Sequence, residues 1–195
     1  MQTEFEATFL NIDKDKMREQ LKKAGAVLVR PEFLQKRYTL NLPKGHEIEN
    51  GWLRVRDEGD KTTMSLKAVF GGGKKIGDQK EIDLEIDDFE KGRQILEEIG
   101  CKTVSFQESK RELWKLNEVE ITIDEWPFLE PLVEIEGSNE KQVKKIAEKL
   151  NFDYSQAEFN SADAFYAKKY NLDLDFVNNK IPRIVFDEKN PFIKK

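Results

Sequence analysis

Polar and apolar residues alternate with a period of two along several segments, the pattern of a strand with two unlike faces. In Glu4-Phe5-Glu6-Ala7-Thr8-Phe9 the polar residues share one face and Phe5, Ala7 and Phe9 the other. Trp52-Leu53-Arg54-Val55-Arg56 sets two arginines opposite Leu53 and Val55. Met64-Ser65-Leu66-Lys67-Ala68-Val69 does the same with Ser65 and Lys67. Acids and aliphatics alternate without a break in Glu81–Asp87, in Glu118–Asp124 apart from Thr122, and in Val133–Glu136.

Helical spacing follows some of these strands. Asp13 is placed to cap a helix whose Met17, Leu21 and Ala24 share a face, with Gly25 as its stop. Asp88 caps a second, with Phe89, Leu96 and Ile99 inward and Gly100 as the stop. Ser138 caps a third, carrying Val143, Ile146, Ala147 and Leu150, and a fourth spans Ser161 to Tyr170. Three times, then, a strand of alternating acids runs into a helix, a repeat of pattern and not of residue identity. Pro43-Lys44-Gly45-His46, Glu58-Gly59-Asp60 and Gly71-Gly72-Gly73-Lys74-Lys75 read as turns. Residues 171–195, with Pro182, Pro191 and the apolar Ile184-Val185-Phe186, read as an extension that packs on the 1–170 domain as an edge strand.

A single two-faced strand fits any antiparallel sheet with one wet face. The set is more specific, because acid pairs sit on some strands, an arginine pair on another and a lysine on a further one. Like charges side by side repel and cost stability unless something binds them. A barrel resolves this: helices cover the apolar outside and the charges line the lumen. The expected fold is α+β, an antiparallel closed β-tunnel with helices packed outside. Such a lumen suits a polyanion on Arg and Lys, with Mg²⁺ or Mn²⁺ on the acids. Residues i and i+2 are about 6.8 Å apart and neighbouring strands about 4.8 Å, so one ion collects carboxylates more easily from two strands than from one pair.

Composition narrows the chemistry. The 195 residues carry 38 Asp+Glu against 33 Lys+Arg, a net charge of −5, which argues against a nucleic-acid polymer as partner. One Cys and one His leave no internal disulfide and no His/Cys zinc site, so a bound metal is a hard ion on oxygen, in a reducing, cytoplasmic setting. No run approaches the roughly 18 apolar residues of a membrane span, and Met1-Gln2-Thr3-Glu4 lacks signal-peptide character. The Gly71–Lys75 run is a hairpin tip and not a phosphate loop, since its spacing fails and no Ser or Thr follows the lysines. His46 reads as an exposed loop residue, Cys101 as packed, and Trp114 and Trp126 as core or rim.

Glu4-Phe5-Glu6, Trp52–Arg56, Ser65-Leu66-Lys67, Glu81–Glu85, Lys110-Arg111-Glu112, Ile123-Asp124 and Val133–Gly137 resemble, in this order, the CYTH domain of the triphosphate tunnel metalloenzymes. That superfamily includes class IV adenylyl cyclases, thiamine triphosphatases and inorganic triphosphatases. The resemblance runs from about residue 2 to 170 and implies an eight-stranded tunnel that binds a triphosphate and divalent ions. It implies that Glu4, Glu6, Glu134 and Glu136 hold metal, and that Arg54, Arg56, Lys67 and Arg111, with Lys110, hold phosphate. Asp124 resembles an acidic lumen position near the substrate. Glu81, Asp83 and Glu85 resemble the middle acidic strand, and Asp124 or Glu85 would orient the attacking water. One departure stands out. The family's Glu-x-Glu-x-Lys signature ends here in Thr8, so a phosphate-facing cation is absent, with Lys36, Arg37 and Arg183 as candidates to replace it.

The expected function is metal-dependent hydrolysis of inorganic triphosphate, a nucleoside triphosphate or thiamine triphosphate. The alternatives are a cyclase making cyclic AMP and pyrophosphate from ATP, a non-catalytic polyphosphate- or nucleotide-binding module, and an interaction domain with a merely solvated charged sheet. An exposed edge or the C-terminal extension would serve a homodimer.

Overall fold

A computed structural model describes residues 1–193. Its strands are β1 (Gln2–Thr3), β2 (Phe5–Phe9), β3 (Val27–Asn41), β4 (Gly51–Asp57), β5 (Thr62–Val69), β6 (Gln79–Ile86), β7 (Lys102–Leu116), β8 (Val119–Glu125), β9 (Leu132–Gly137) and β10 (Arg183–Ile184). The helices are α1 (Lys14–Ala24), α2 (Phe89–Glu98), α3 (Glu140–Lys149), α4 (Ala162–Tyr170) and α5 (Leu174–Lys180). Strands pair in the order β1-β6-β5-β4-β3-β7-β8-β9-β2.

The first and last members of that order are one N-terminal strand broken at Glu4. Gln2 pairs with Glu81 and Thr3 with Lys80, and the Glu4 N–H donates to Gln79 O at 3.0 Å. From Phe5 onward the strand changes partner and runs along β9, from Gly137 to Val133. The sheet is therefore a nearly closed antiparallel barrel of nine segments forming eight walls. Closure leaves each strand one face in the lumen and one outside, which is why the two-faced alternation runs through so much of the chain.

Outside, the helices cover apolar faces over much of the barrel, while Ile82 and Leu84 of β6 stay exposed. Met17 and Leu21 of α1 and Ile146 and Ala147 of α3 pack with Ile121 and Ile135. Leu96 of α2 joins Leu40, Val55 and Cys101. Asp13 and Asp88 cap α1 and α2 as expected, and Gly25 ends α1 at φ +84°, a conformation that favours glycine. Two expectations fail here. The α3 cap is Asn139 and not Ser138: the Asn139 side chain accepts from Gln142 N at 3.0 Å. Ile99 does not face inward; it follows the last turn of α2 and is 64% exposed.

The C-terminal extension holds a helix that the sequence pattern did not predict: it first forms α5, and then Arg183 and Ile184 run as a short strand parallel to Phe106 and Gln107 of β7. Strand β8 pairs with β7 only as far as Lys110, so β10 takes up the flank that β8 leaves. Val177, Ile181, Ile184 and Phe192 bury themselves with Trp126, Leu132, Phe165 and Tyr166, making the extension part of a third core. Residues 194 and 195 of that extension lie outside the described ones. No described helix is long and apolar enough to cross a membrane.

Candidate functional site

The sheet order sorts the lumen charges into two continuous arcs. Cations stand on four consecutive strands: Lys67 on β5, Arg54 and Arg56 on β4, Arg37 on β3 and Arg111 on β7. Acids occupy the rest of the circle: Asp124 on β8, Glu134 and Glu136 on β9, Glu4 and Glu6 on the N-terminal strand, Glu81 and Asp83 on β6. Between the arcs lies a cavity of about 850 Å³, lined by all of these residues except Asp124.

Ion pairs form where the arcs meet. At one seam Arg54 donates to Glu81 at 2.8 Å, and Lys67 Nζ stands 3.1 Å from Glu81 and 3.0 Å from Glu4 Oε2. At the other, Arg111 grips Asp124 through Nε at 2.8 Å and Nη2 at 2.6 Å, and Nη2 also reaches Glu134 at 2.5 Å. Arg56 pairs with Glu58 of its own chain turn at 2.6 Å. Toward the middle of the acidic arc, Glu6 stands directly across from Glu136 in the β2–β9 register. Like charges at that spacing repel.

Titration follows from this layout. Burial pushes Glu4 up to about 7, aided by a hydrogen bond with Glu81 and opposed by Lys67. Burial also pushes Glu6 up to about 7; Lys67 opposes this, while Glu4 and Glu136 add to it. Glu134 rises well above the ordinary carboxylate range, by burial and then the charges of Glu6 and Asp124. Glu136 rises through burial and the nearby Glu120. Burial would raise Glu81 too, but its bond with Glu4 and the charges of Arg54 and Lys67 hold it below its usual value. Asp124 is likewise held low by Arg111 against the effect of burial. On the other arc, burial and the neighbouring Arg54 bring Arg56 down to about 10. Toward the centres of the arcs, Arg37 has no carboxylate partner and Glu6 no cation in ion-pair contact among the described residues, whereas the seams are satisfied.

Ten of the thirteen expected site residues line the cavity, and three do not. Lys110 neighbours Arg111 on β7, so strand alternation turns it outward, 3.7 Å from Glu125 and over the Phe186 ring. Glu85 is exposed at the end of β6 and does not reach the cavity. Asp124 is buried behind Arg111, where it fixes the guanidinium and does not face the cavity. The gap at Thr8 is real, since that buried residue lies across from Glu134. Of the three candidates to replace the cation, Lys36 is exposed and Arg183 pairs outside with Glu188 at 2.7 Å; only Arg37 faces the lumen. The sequence reading passed over Gln35, Ser105 and Ser109, which share the lumen face of Arg37 and Arg111. It also missed Asn178 and Asn179 of α5, which line the cavity. The period-two run Gln35-Arg37-Thr39-Asn41 was the available signal. The glycine tip is no anion site: Asp78 already accepts from the Lys74 and Lys75 N–H groups at 3.0 Å.

The acids fit a hard divalent ion by donor chemistry. Glu4, Glu6, Glu134 and Glu136 offer only oxygen, and Glu4 Oε2 is buried without a hydrogen bond although Lys67 stands nearby. Among the described residues no three acids already converge on one point, so the carboxylates would draw together around an ion from β2 and β9.

Comparison with known proteins agrees with this geometry. The CYTH domain family matches residues 2–166. "Putative adenylate cyclase MJ0240" of Methanocaldococcus jannaschii is 32% identical over 146 residues, 71% of this chain and 79% of that protein. The solved "putative adenylate cyclase" from Vibrio parahaemolyticus superposes with a TM-score of 0.70 at 13% identity, over 85% of this chain and 98% of that one. "Putative adenylyl cyclase HpAC1" from Hippeastrum, described as revealing a dominant triphosphatase activity, gives a TM-score of 0.57 at 16% identity, over 87% and 96%. With a barrel of this topology and a match across nearly its whole length, the chain belongs to the CYTH domain family.

Proposed function

We propose that this protein hydrolyses a triphosphate-containing substrate with the help of Mg²⁺ or Mn²⁺. The observation that carries the reading is the division of the lumen into a cationic arc and an acidic arc, with Arg37 unpaired in the first and Glu6 facing Glu136 in the second. Arg54, Arg56, Lys67 and Arg111 bind the phosphate chain, and the seam acids release them as they do so. Glu4, Glu6, Glu134 and Glu136 would hold the divalent ion, which would supply neutralising charge for the phosphates when bound. Asp124 keeps the Arg111 fork aimed at the substrate.

A cyclase is the second reading, favoured by the room beyond the phosphate site. The cavity extends past the arcs to Trp52, Asn41 and Asn179, more space than inorganic triphosphate needs. In that case the substrate's own hydroxyl replaces water and pyrophosphate leaves. Incubation with Mg²⁺ or Mn²⁺ and either tripolyphosphate or ATP separates the two. Orthophosphate release, abolished by chelation and by Arg56→Ala, is the expected result. Cyclic AMP with pyrophosphate would replace hydrolysis by cyclisation. Binding without turnover under either ion would reduce the protein to a binding module.

A further inference from the structure

The lumen wall holds a cluster of buried polar groups whose hydrogen-bonding capacity is only partly used. Arg37 is 5% exposed, its Nε has no partner, and no carboxylate among the described residues lies within 4.0 Å of it. Its Nη2 donates to Gln35 Oε1 at 2.9 Å and to Ser109 Oγ. Gln35 spends its oxygen on those contacts, accepting from Ser109 at 3.2 Å as well, which leaves its buried Nε2 unpaired. Directly across in register from Arg37 is Arg56, and across from Arg56 is Thr63; Arg56 Nε and Thr63 Oγ1 are also buried and unpaired. Arg37, Arg56 and Thr63 form one row across β3, β4 and β5, with strands about 4.8 Å apart; the two arginines line the cavity, and Gln35 and Thr63 do not. Unpaired buried donors are uncommon and costly, and the two facing arginines repel, with Glu58 as counter-charge for Arg56 and none for Arg37. Burial and the charges of Arg56 and Arg54 push Arg37 well below its ordinary range. The Trp126 ring, 4.2 Å away, backs the guanidinium and fixes its plane.

We infer that Arg37, backed by Gln35 and Thr63, is a phosphoryl subsite that seats one end of the phosphate chain and sets its register in the lumen. Acceptor-rich phosphoryl oxygens entering the cavity would satisfy Arg37, for which the described residues offer no carboxylate. Arg54, Lys67 and Arg111 must first leave acids at the seams, whereas Arg37 has no acid to leave. It thereby supplies the charge absent at Thr8 from the opposite side of the barrel. The inference rests on the triphosphate reading above and adds a residue that reading did not assign.

The test measures binding of tripolyphosphate and pyrophosphate to the full chain by calorimetry, without metal and with Mg²⁺, in wild type, Arg37→Gln and Arg37→Lys. A lost charge-assisted contact corresponds to about ten- to hundred-fold in affinity. Arg37→Gln should weaken tripolyphosphate by at least about ten-fold and pyrophosphate much less, erasing the wild-type preference for the longer chain. Arg37→Lys should keep part of it. In the same samples Arg37→Gln should raise the unfolding midpoint of the ligand-free protein, because it removes a buried unpaired charge. A purely structural arginine, held by Trp126 and Ser109, would instead lower that midpoint and leave the preference unchanged, which overturns the inference. So would a wild type without that preference. A wild type that binds neither anion overturns the functional reading itself.

Discussion

Glu6→Gln makes the electrostatic argument quantitative. Glu6 lies under Glu136 in register, close to Glu4 and Glu134, and burial with this crowding lifts its pKa from 4.5 to about 7. Above pH 7 the folded protein must ionise a group that the unfolded chain ionises freely. Because the native state holds the proton more tightly, stability falls as pH rises from about 4.5 to about 7. A shift of about 2.5 units corresponds to about 3 kcal/mol, an upper value because water in the lumen reaches Glu6 and screens it. Gln mimics the protonated acid, so the variant should be more stable than wild type at pH 8, by up to that amount, and equal to it at pH 4.5. Urea unfolding of ligand-free protein at both pH values reads the difference through the midpoint at constant slope. Equal destabilisation at both pH values would refute the reasoning, since Glu6 would then be held by a contact and not strained by its neighbours. Added Mg²⁺ should stabilise wild type more than Glu6→Gln, because only the former offers the full set of carboxylates.

Three further outcomes follow from the packing. Arg111→Ala should cost about 3–5 kcal/mol in chemical unfolding, because it strands the buried Asp124; Arg111→Met with Asp124→Leu should recover much of that loss. Phe192→Ala should cost about 3–5 kcal/mol, since its ring stacks on Tyr166 and Tyr170 inside the third core. A loss below ~1 kcal/mol, well under the usual cost of such a truncation, would show that the extension is not integral to the domain. Gly73→Ala should lower the unfolding midpoint more than Gly72→Ala. Both glycines have positive φ, but only at Gly73 would a Cβ meet the Asn160 side chain, at 1.9 Å.

What could be read from sequence depended on whether the two faces of a strand differ in chemistry. Strands β2, β6 and β9 show acids against aliphatics, and there the fold and the lumen residues were both legible. Strand β3 was not. Pro31 interrupts it, the register shifts between Leu28 and Arg30 and again before Phe33, and outward-facing Lys36 and Tyr38 make both faces look polar. So the strand that carries Arg37 offered only the polar run Gln35-Arg37-Thr39-Asn41, masked by polar neighbours on the other face, and the missing charge at Thr8 had three candidates instead of one. Helix α5 was hidden for another reason: its seven residues are few for a periodic signal, and it is held by packing of Val177 against Trp126 more than by its own pattern.

The same contrast explains which site residues the sequence misplaced. Lys110 and Arg111 are adjacent, and one strand cannot turn both into the lumen; the register Arg111–Asp124 decides for Arg111. Glu85 continues the alternation of Glu81 and Asp83, but it stands exposed near the end of β6 and does not line the cavity. Alternation assigns a face and not an environment, and only the closed barrel separates an acid that shares charge with Lys67 from one that meets water. This is why the two arcs emerge only from strand order. The sequence holds the cations and acids in separate strands, and closure through the broken N-terminal strand at Glu4 brings the acids of β2 and β6 together beside Lys67.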